Sequence, residues 1–93
     1  MRFVWDERKN LVNRARHGVA FEAASRVFDD PLHLSIQDRI EEGEERWQTL
    51  GMIGPVVVLV AHVWFEDEDG EVIRIISARK ATRRERLAYE QES

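Results

Sequence analysis

The chain has 93 residues, no cysteine and a formal net charge of −4. This length predicts one small domain over residues 1–93, which buries about 60 to 65% of its unfolded surface. The lack of cysteine excludes disulfides, thiolate catalysis and cysteine-based zinc sites. No run reaches the ~18 apolar residues of a membrane helix. Because the first residues also lack the apolar stretch of a signal peptide, we expect a cytoplasmic protein without a membrane partner.

The charged residues are unevenly distributed along the chain. Acids cluster in residues 38–45 and 66–71, whereas bases gather in residues 2–26 and 74–86. The net negative charge weighs against autonomous binding to duplex DNA, because affinity for a duplex depends on neutralising its phosphates. The basic segments can nevertheless dock an anionic partner, and the acidic segments a cationic one.

The N-terminal segment predicts a short strand followed by a helix. Residues 3–5 are apolar, and Asp6 is a good N-cap for a helix over Glu7 to Arg16. Gly18 stands where helices commonly end in a left-handed residue. The polar side of this helix is either a solvated face or a binding surface. Its residues are Lys9, Asn13, Arg16 and His17.

The next segment predicts a second helix and then an edge strand. Residues from Val19 to Phe28 place apolar side chains on one side of a helix that stops before Pro31. From Pro31 the apolar period changes to two and predicts a half-buried edge strand through Ile36. Gln37 to Glu45 is acidic and contains a glycine, which predicts a loop.

Three further strands are predicted in the second half of the chain. Arg46 to Ile53 and Val56 to Phe65 are joined by a Gly54-Pro55 turn, and Glu66 to Gly70 forms the next loop, which leads into a strand over Val72 to Ile76. Consecutive strands with short turns predict an antiparallel meander. With two helices before it and one after, the fold class is α+β, with a mainly antiparallel sheet of four to five strands.

The last helix begins at a capping box and follows a basic segment. Thr82 and Glu85 have the spacing at which each side chain bonds the other residue's backbone N–H. Six basic residues fall between Arg74 and Arg86. Arg83 and Arg84 lie in the first helical turn, where cations are unfavourable. This pattern indicates an anionic ligand, and the alternative is a solvated face.

The central strands are apolar on both alternating faces, so both faces of the sheet need cover. The two N-terminal helices can cover one face, but the last helix is short and rich in arginine. We therefore expect a partner chain or a binding groove on the other face. The alternative is that Leu87, Ala88 and Tyr89 of the last helix suffice.

Three blocks of residues occur in one order along nearly the whole chain. They are Phe3-x-Trp5-Asp6-x-x-Lys9-Asn10-x-x-Asn13-x-x-Arg16-His17-Gly18-Val19-x-Phe21-Glu22-x-Ala24-x-x-Val27-Phe28-Asp29-Asp30-Pro31, then Glu45-Arg46-Trp47-x-x-Leu50-Gly51, then Arg74-Ile75-Ile76-Ser77-Ala78-Arg79-Lys80-Ala81 with Glu85-Arg86 and Tyr89. Together they resemble the BrnT toxin family.

The resemblance implies a ribonuclease toxin of a type II toxin-antitoxin pair with a RelE-like fold. Such a toxin cleaves RNA and so inhibits translation and growth. Its antitoxin would be a BrnA-like ribbon-helix-helix protein that neutralises the toxin in a hetero-oligomer and represses the operon. Contact with DNA would come only through that antitoxin. The sequence contains no cofactor motif, such as a glycine-rich phosphate loop or EF-hand spacing.

One departure from the family concerns the end of the central strand. BrnT-like sequences often carry a Thr-x-Arg pattern there, whereas this chain reads His62-Val63-Trp64-Phe65-Glu66 and has no arginine. The departure motivates an alternative function, a non-catalytic module that binds RNA or protein and acts mainly as antitoxin partner and co-repressor.

Cleavage of RNA without a metal uses the neighbouring 2′-hydroxyl as nucleophile. It needs a base for that proton, cations for the charge on the phosphate oxygens and an acid for the leaving oxygen. We expect Arg46, Arg74 and either Arg79 or Lys80 to hold phosphates, because a guanidinium fork bonds two oxygens at once. Strict strand alternation would direct Arg74, Ile76, Ala78 and Lys80 to one face and Arg79 to the other.

Histidine is the side chain best suited to acid-base work at neutral pH. His62 is the first candidate, with a hydrogen-bonded core residue as the alternative, and His17 the second, with a role at the helix end as the alternative. Tyr89 is a further candidate for catalysis, and its alternative is packing under the last helix. The four residues on the polar side of the first helix, Lys9, Asn13, Arg16 and His17, are called the polar file below. We expect the polar file, together with Arg83 and Arg84, to bind RNA or the antitoxin.

Overall fold

The structure is a computed structural model that describes residues 1–92. Its elements are, in chain order, β1 (Arg2–Val4), α1 (Glu7–His17), α2 (Phe21–Ala24), a 3-10 helix (Ser25–Asp29), β2 (Leu34–Glu41), β3 (Glu44–Ile53), β4 (Val56–Asp67), β5 (Gly70–Lys80) and α3 (Arg83–Glu92). The predicted α+β fold class is confirmed.

The strands form one five-stranded sheet in the order β1-β5-β4-β3-β2. Four strands make the predicted antiparallel meander, and β1 joins it by pairing in parallel with β5, so that Arg2 lies beside Val72. Because β1 is only three residues long, it pairs with β5 no further than Arg74. The outer edge of β5 beyond that residue faces α1.

The ends of α1 follow the sequence signals. Asp6 accepts hydrogen bonds from the backbone N–H groups of Arg8 and Lys9, and Gly18 ends the helix with φ of 74°. Thr82 and Glu85 form the predicted capping box, since each side chain bonds the other residue's backbone N–H at 3.2 and 2.8 Å.

The predicted second helix over Val19 to Phe28 is found as two short helices that together span 21–29. The α-helical part is one turn, Phe21–Ala24, and the chain then tightens into the 3-10 helix. Ala20 at the N-cap has no side-chain acceptor, and the backbone N–H of Phe21 instead donates to Asn10 Oδ1 at 2.8 Å. The second helix is therefore held by a side chain of α1.

The acidic loop predicted over Gln37 to Glu45 is also wrong. β2 continues to Glu41 and β3 begins at Glu44, so only two residues form the turn. Those residues, Glu42 and Gly43, have φ values of 51° and 79°, as a tight hairpin turn requires. The loop predicted over Glu66 to Gly70 shortens in the same way, because β4 extends to Asp67 and β5 begins at Gly70.

A β-bulge in β5 contradicts strict strand alternation. Ala61 lies opposite Ser77, whereas the next residue of β4, His62, lies opposite Ile75, so Ile76 is an extra residue. A bulge re-aims the side chains that follow it. Arg74, Ser77 and Arg79 consequently share one face, and Lys80 lies on the other.

The first face of the sheet is covered by the N-terminal helices. Its core contains nine buried side chains, namely Val19, Phe21, Ala24, Val27, Val58, Val60, Ile73, Ile75 and Ala78. The backbone of the 3-10 helix comes so close to β3 that only a glycine fits at position 51, where a Cβ would lie 2.8 Å from Val27 O.

The second face is covered only in part. α3 packs over a smaller buried cluster made of Leu50, Val57, Leu59, Ala81 and Tyr89. Leu87 is 46% exposed, so of the three apolar residues expected to cover this face only Tyr89 joins the cluster. Ile36 and Phe65 remain exposed. This open area carries the polar residues described next.

None of the helices within residues 1–92 has the length and apolar character needed to traverse a bilayer.

Candidate active site

The three arginines predicted to bind phosphate, Arg46, Arg74 and Arg79, all lie on the second face. Leu59 aligns with Arg79, and Val63 aligns with Arg74. Arg46 precedes Trp47, which pairs with His62, so Arg46 falls on the same face as Val63. The register thus brings Arg46, Arg74 and Arg79 to one surface that α1 and α2 do not cover.

Carboxylates already contact these arginines. Arg74 donates to Glu44 Oε1 at 2.7 Å, and Arg46 Nη1 lies 3.9 Å from Glu41 Oε2. The Nε atom of Arg46 is buried without a hydrogen-bond partner among residues 1–92. A buried donor without a partner carries a free-energy cost.

The third arginine is tied to the beginning of α3. Both terminal nitrogens of Arg79 donate to the carboxylate of Glu85, at 2.8 and 3.0 Å. These hydrogen bonds lower the pKa of Glu85 to about 2, and Glu85 also caps the helix through Thr82. A carboxylate with so low a pKa is a weak base, which favours a structural role for Glu85.

His62 lies on the opposite face from the arginines. Its side chain is 4% exposed, its Nε2 bonds Thr49 Oγ1 at 2.8 Å, and Phe28 packs against its ring at 5.0 Å. Burial lowers the pKa of His62 to about 4, so the imidazole is neutral at pH 7. The structure does not bring His62 together with Arg46, Arg74 and Arg79. His62 is a core residue with one ring nitrogen hydrogen-bonded, whereas its Nδ1 is buried without a hydrogen-bond partner among residues 1–92.

An aromatic cavity of about 250 Å³ lies beside His62 on the first face. Trp47, Trp64 and His33 line it, and Trp64 is 45% exposed while its indole N–H donates to Glu71. This cavity was not predicted from the sequence, because its lining residues are far apart along the chain, from Met1 to Ile73.

Tyr89 packs on the second face under α3, whereas Lys80 lies on the opposite face from the three arginines. The hydroxyl of Tyr89 donates to Asp30, and this hydrogen bond raises the pKa of Tyr89 to about 12. Its ring is buried in the cluster under α3. Lys80 is exposed on the first face, where it lines a shallow depression with Val58 and Gly18.

The polar file of α1 lines a cleft of about 320 Å³ at the free edge of β5. The cleft residues are Arg8, Lys9, Val12, Asn13, Arg16, His17, Ile76 and Ser77. Asn13 is buried, and its amide bonds the backbone N–H and C=O of Ala78 and the C=O of Val19. Asn13 therefore forms the floor of the cleft, whereas the side chains of Lys9, Arg16 and His17 are exposed.

Arg83 and Arg84 lie on the outer side of α3. They are exposed and line a shallow groove together with Leu87 and Gln91. No residue that lines this groove also lines the cleft beside α1, so the predicted binding residues fall on two surfaces.

Two contributors to these surfaces were missed at the sequence level. Glu44 was assigned to a loop, although it is a strand residue that pairs with Arg74. Ser77 was not singled out, although it lies between Arg74 and Arg79 and also lines the α1 cleft. The bulge that re-aims Ser77 depends on long-range pairing, which leaves no local signal in the sequence.

Within residues 1–92, no group of three or more His, Asp or Glu side chains is arranged to hold a metal ion.

Comparison with known proteins gives the family. No curated protein matches the chain. Residues 5–85 match the family described as "Ribonuclease toxin, BrnT, of type II toxin-antitoxin system", which includes α1, the whole antiparallel meander and the start of α3. A match over this share of 93 residues establishes membership, so the chain belongs to the BrnT family of ribonuclease toxins from type II toxin-antitoxin systems.

Proposed function

We propose that this chain is an endoribonuclease that cleaves RNA on the open part of the second face, by attack of a 2′-hydroxyl on the adjacent phosphate and without a metal. The observation that carries the proposal is the shared surface of Arg46, Arg74 and Arg79. Cleavage would inhibit translation and growth, and a BrnA-like ribbon-helix-helix antitoxin would neutralise the toxin in a hetero-oligomer.

The three arginines suit a phosphate whose charge grows during the reaction. Attack by the 2′-oxygen makes the phosphorus pentacoordinate and adds negative charge to its oxygens. A guanidinium fork can bond two of those oxygens at once. Arg46 Nη1 has only a 3.9 Å contact with Glu41, and Arg74 is held by one carboxylate that a phosphate could displace.

Glu44 is the proposed base. Its carboxylate accepts a hydrogen bond from Arg74. Glu44 also lies two residues before Arg46 on β3, so both side chains face the same surface. Glu44 would take the 2′-hydroxyl proton and so create the nucleophile, and collapse of the intermediate would give a 2′,3′-cyclic phosphate and a 5′-oxygen that takes a proton from solvent water to leave as a 5′-hydroxyl. The ion pair with Arg74 would hold Glu44 in place until substrate arrives.

The test is cleavage of a purified RNA by the isolated chain in the presence of EDTA. We expect products with 2′,3′-cyclic phosphate ends and no cleavage where the ribose before the scissile phosphate lacks its 2′-hydroxyl. Arg46→Gln and Arg74→Gln should each lower the rate by at least about tenfold, since oxyanion-stabilising groups contribute roughly 10² to 10³. Arg26→Gln is the matched control, because Arg26 is exposed on the other side of the sheet.

A second candidate function is a binding module that contributes to repression without cleaving RNA. Ion pairing favours it, since Arg74 and Arg79 are already bonded to carboxylates. The central strand also carries Phe65 rather than an arginine near its end. Intact RNA after incubation with the folded wild type, together with tight RNA or antitoxin binding, would favour this function over the nuclease.

A further inference from the structure

The cleft between α1 and the edge of β5 is strongly basic, although the chain as a whole is acidic. Arg8, Lys9 and Arg16 line it together with His17, and no acidic residue does. Within residues 1–92, none of these four side chains takes part in an ion pair. Unpaired cations around a concave surface make a positive potential that attracts an anion.

The floor of the cleft is rigid. The side-chain amide of Asn13 donates to the backbone C=O of Val19 and of Ala78, both at 2.8 Å, and accepts from the backbone N–H of Ala78 at 3.1 Å. The positions of Lys9 and Arg16 relative to β5 are therefore fixed through the helix that carries Asn13. A preorganised binding surface loses less entropy when a ligand binds.

The cleft continues into the second face of the sheet. Ser77 lines the cleft, and the bulge directs it to the same face as Arg74 and Arg79. Its hydroxyl can donate to a phosphate oxygen between the two groups of cations. A strand of nucleic acid lying over the second face thus has a basic path across the edge of β5.

We infer that this cleft is an RNA backbone subsite, in which Lys9, Arg16 and Ser77 bind phosphates that flank the cleavage point. The inference rests on the proposed function in one respect, namely that RNA is the ligand of the adjoining face. An acidic protein segment is the competing occupant. RNA is favoured because the cleft joins the arginine surface through Ser77, whereas an acidic segment has no need of that continuity.

The experiment measures binding of a single-stranded 2′-O-methyl RNA of about 12 nucleotides, by fluorescence anisotropy at several salt concentrations. The variant is Lys9→Gln/Arg16→Gln. The control is Arg14→Gln/Arg26→Gln, which changes the net charge equally at exposed positions outside the cleft. The blocked 2′-oxygen prevents cleavage, so binding is read separately from catalysis.

We expect the cleft variant to bind roughly tenfold more weakly at moderate salt. We also expect its plot of log K against log salt to be shallower by about 1.4, which is ~0.7 for each of two lost phosphate contacts on a single strand. The control should match the wild type. Equal losses in both variants, or no loss in either, would overturn the inference.

Two further arms separate the remaining outcomes. A poly-aspartate peptide that binds the cleft as tightly as the RNA, with the same dependence on Lys9 and Arg16, would overturn RNA as the occupant. Cleavage assays are run in parallel on unmodified RNA. Wild-type cleavage with an unaffected cleft variant in the binding assay refutes the subsite alone, whereas cleft-dependent binding without cleavage refutes the nuclease alone.

Discussion

The side-chain amide of Asn13 pairs with both backbone groups of Ala78, donating to its carbonyl at 2.8 Å and accepting from its N–H at 3.1 Å. The side chain does for β5 what a neighbouring strand would do, at the point where β1 has ended. Edge strands commonly need such cover, because unpaired backbone groups otherwise remain exposed or unsatisfied.

Asn13→Ala should therefore lower the free energy of unfolding by about 2 to 4 kcal/mol, because it leaves buried backbone groups of Ala78 and Val19 without partners. Urea denaturation measures this change. Leu11→Ala on the same helix is the control, and it should change stability by less than about 0.5 kcal/mol because Leu11 is largely exposed. Similar values for the two variants would contradict the bridging role.

His62 should make stability depend on pH. Burial holds the pKa of His62 at about 4 in the folded state, below its ordinary value of 6.5. Between pH 4 and pH 6.5 the unfolded chain binds a proton at His62 that the folded chain does not. The free energy of unfolding is therefore highest above pH 6.5 and falls by about 1.4 kcal/mol for each pH unit below it. The loss is complete near pH 4.

Denaturation between pH 7 and pH 5 isolates this effect, because carboxylates titrate mostly below that range. The slope should disappear in His62→Gln, whose amide can keep a hydrogen bond to Thr49. A wild-type stability that stays flat from pH 7 to pH 5 would show that His62 is accessible to protons in the folded protein.

Gly51→Ala should destabilise the fold by about 3 kcal/mol or more, through overpacking at the contact between β3 and the 3-10 helix. The added Cβ would lie 2.6 Å from Val27 Cγ1 and 2.8 Å from the backbone oxygen of Val27. Thermal unfolding measures the loss. Because Val27→Ala removes only the side-chain clash, the double variant should recover a small part of the lost stability. Full recovery would mean that the backbone contact is not limiting.

Glu44→Gln should separate binding from catalysis. The neutral amide weakens the hold on Arg74, so RNA should bind more tightly, by a few-fold, because exposed ion pairs contribute about 1 kcal/mol or less. If Glu44 is the base, the same variant should cleave RNA at least about 10²-fold more slowly. Anisotropy and single-turnover cleavage measure the two quantities. Tighter binding with unchanged cleavage would reassign the base.

Local signals predicted much of this fold. The caps at Asp6, Gly18 and Thr82 act within one turn of the helix that they end, so the sequence contains all the residues involved. The predicted strands over Val56 to Phe65 and Val72 to Ile76 were recognisable from their β-branched residues. The structure extends them to Val56–Asp67 and Gly70–Lys80. Charge misled the prediction at Gln37 to Glu45, since acidic side chains on a solvent-facing hairpin look like a loop.

The candidate site was harder to predict than the fold. Whether Arg79 shares a face with Arg74 or with Lys80 depends on one extra residue, Ile76, and a shift of one position moves every following side chain to the other face. The exposed histidine and cations of α1 could be predicted by their four-residue spacing. Their meeting with Ser77 could not, because it requires the tertiary contact made by Asn13.

The parallel pairing of β1 with β5 has a consequence for biosynthesis. Residues 2–4 have no strand to join, and α1 has no backbone to bridge, until residues 72–78 have been made. Contacts between such distant parts of a chain form slowly, because loop closure must come first. A nascent chain therefore cannot complete the sheet, or the bridge from α1 to β5, before residues 72–78 have emerged from the ribosome.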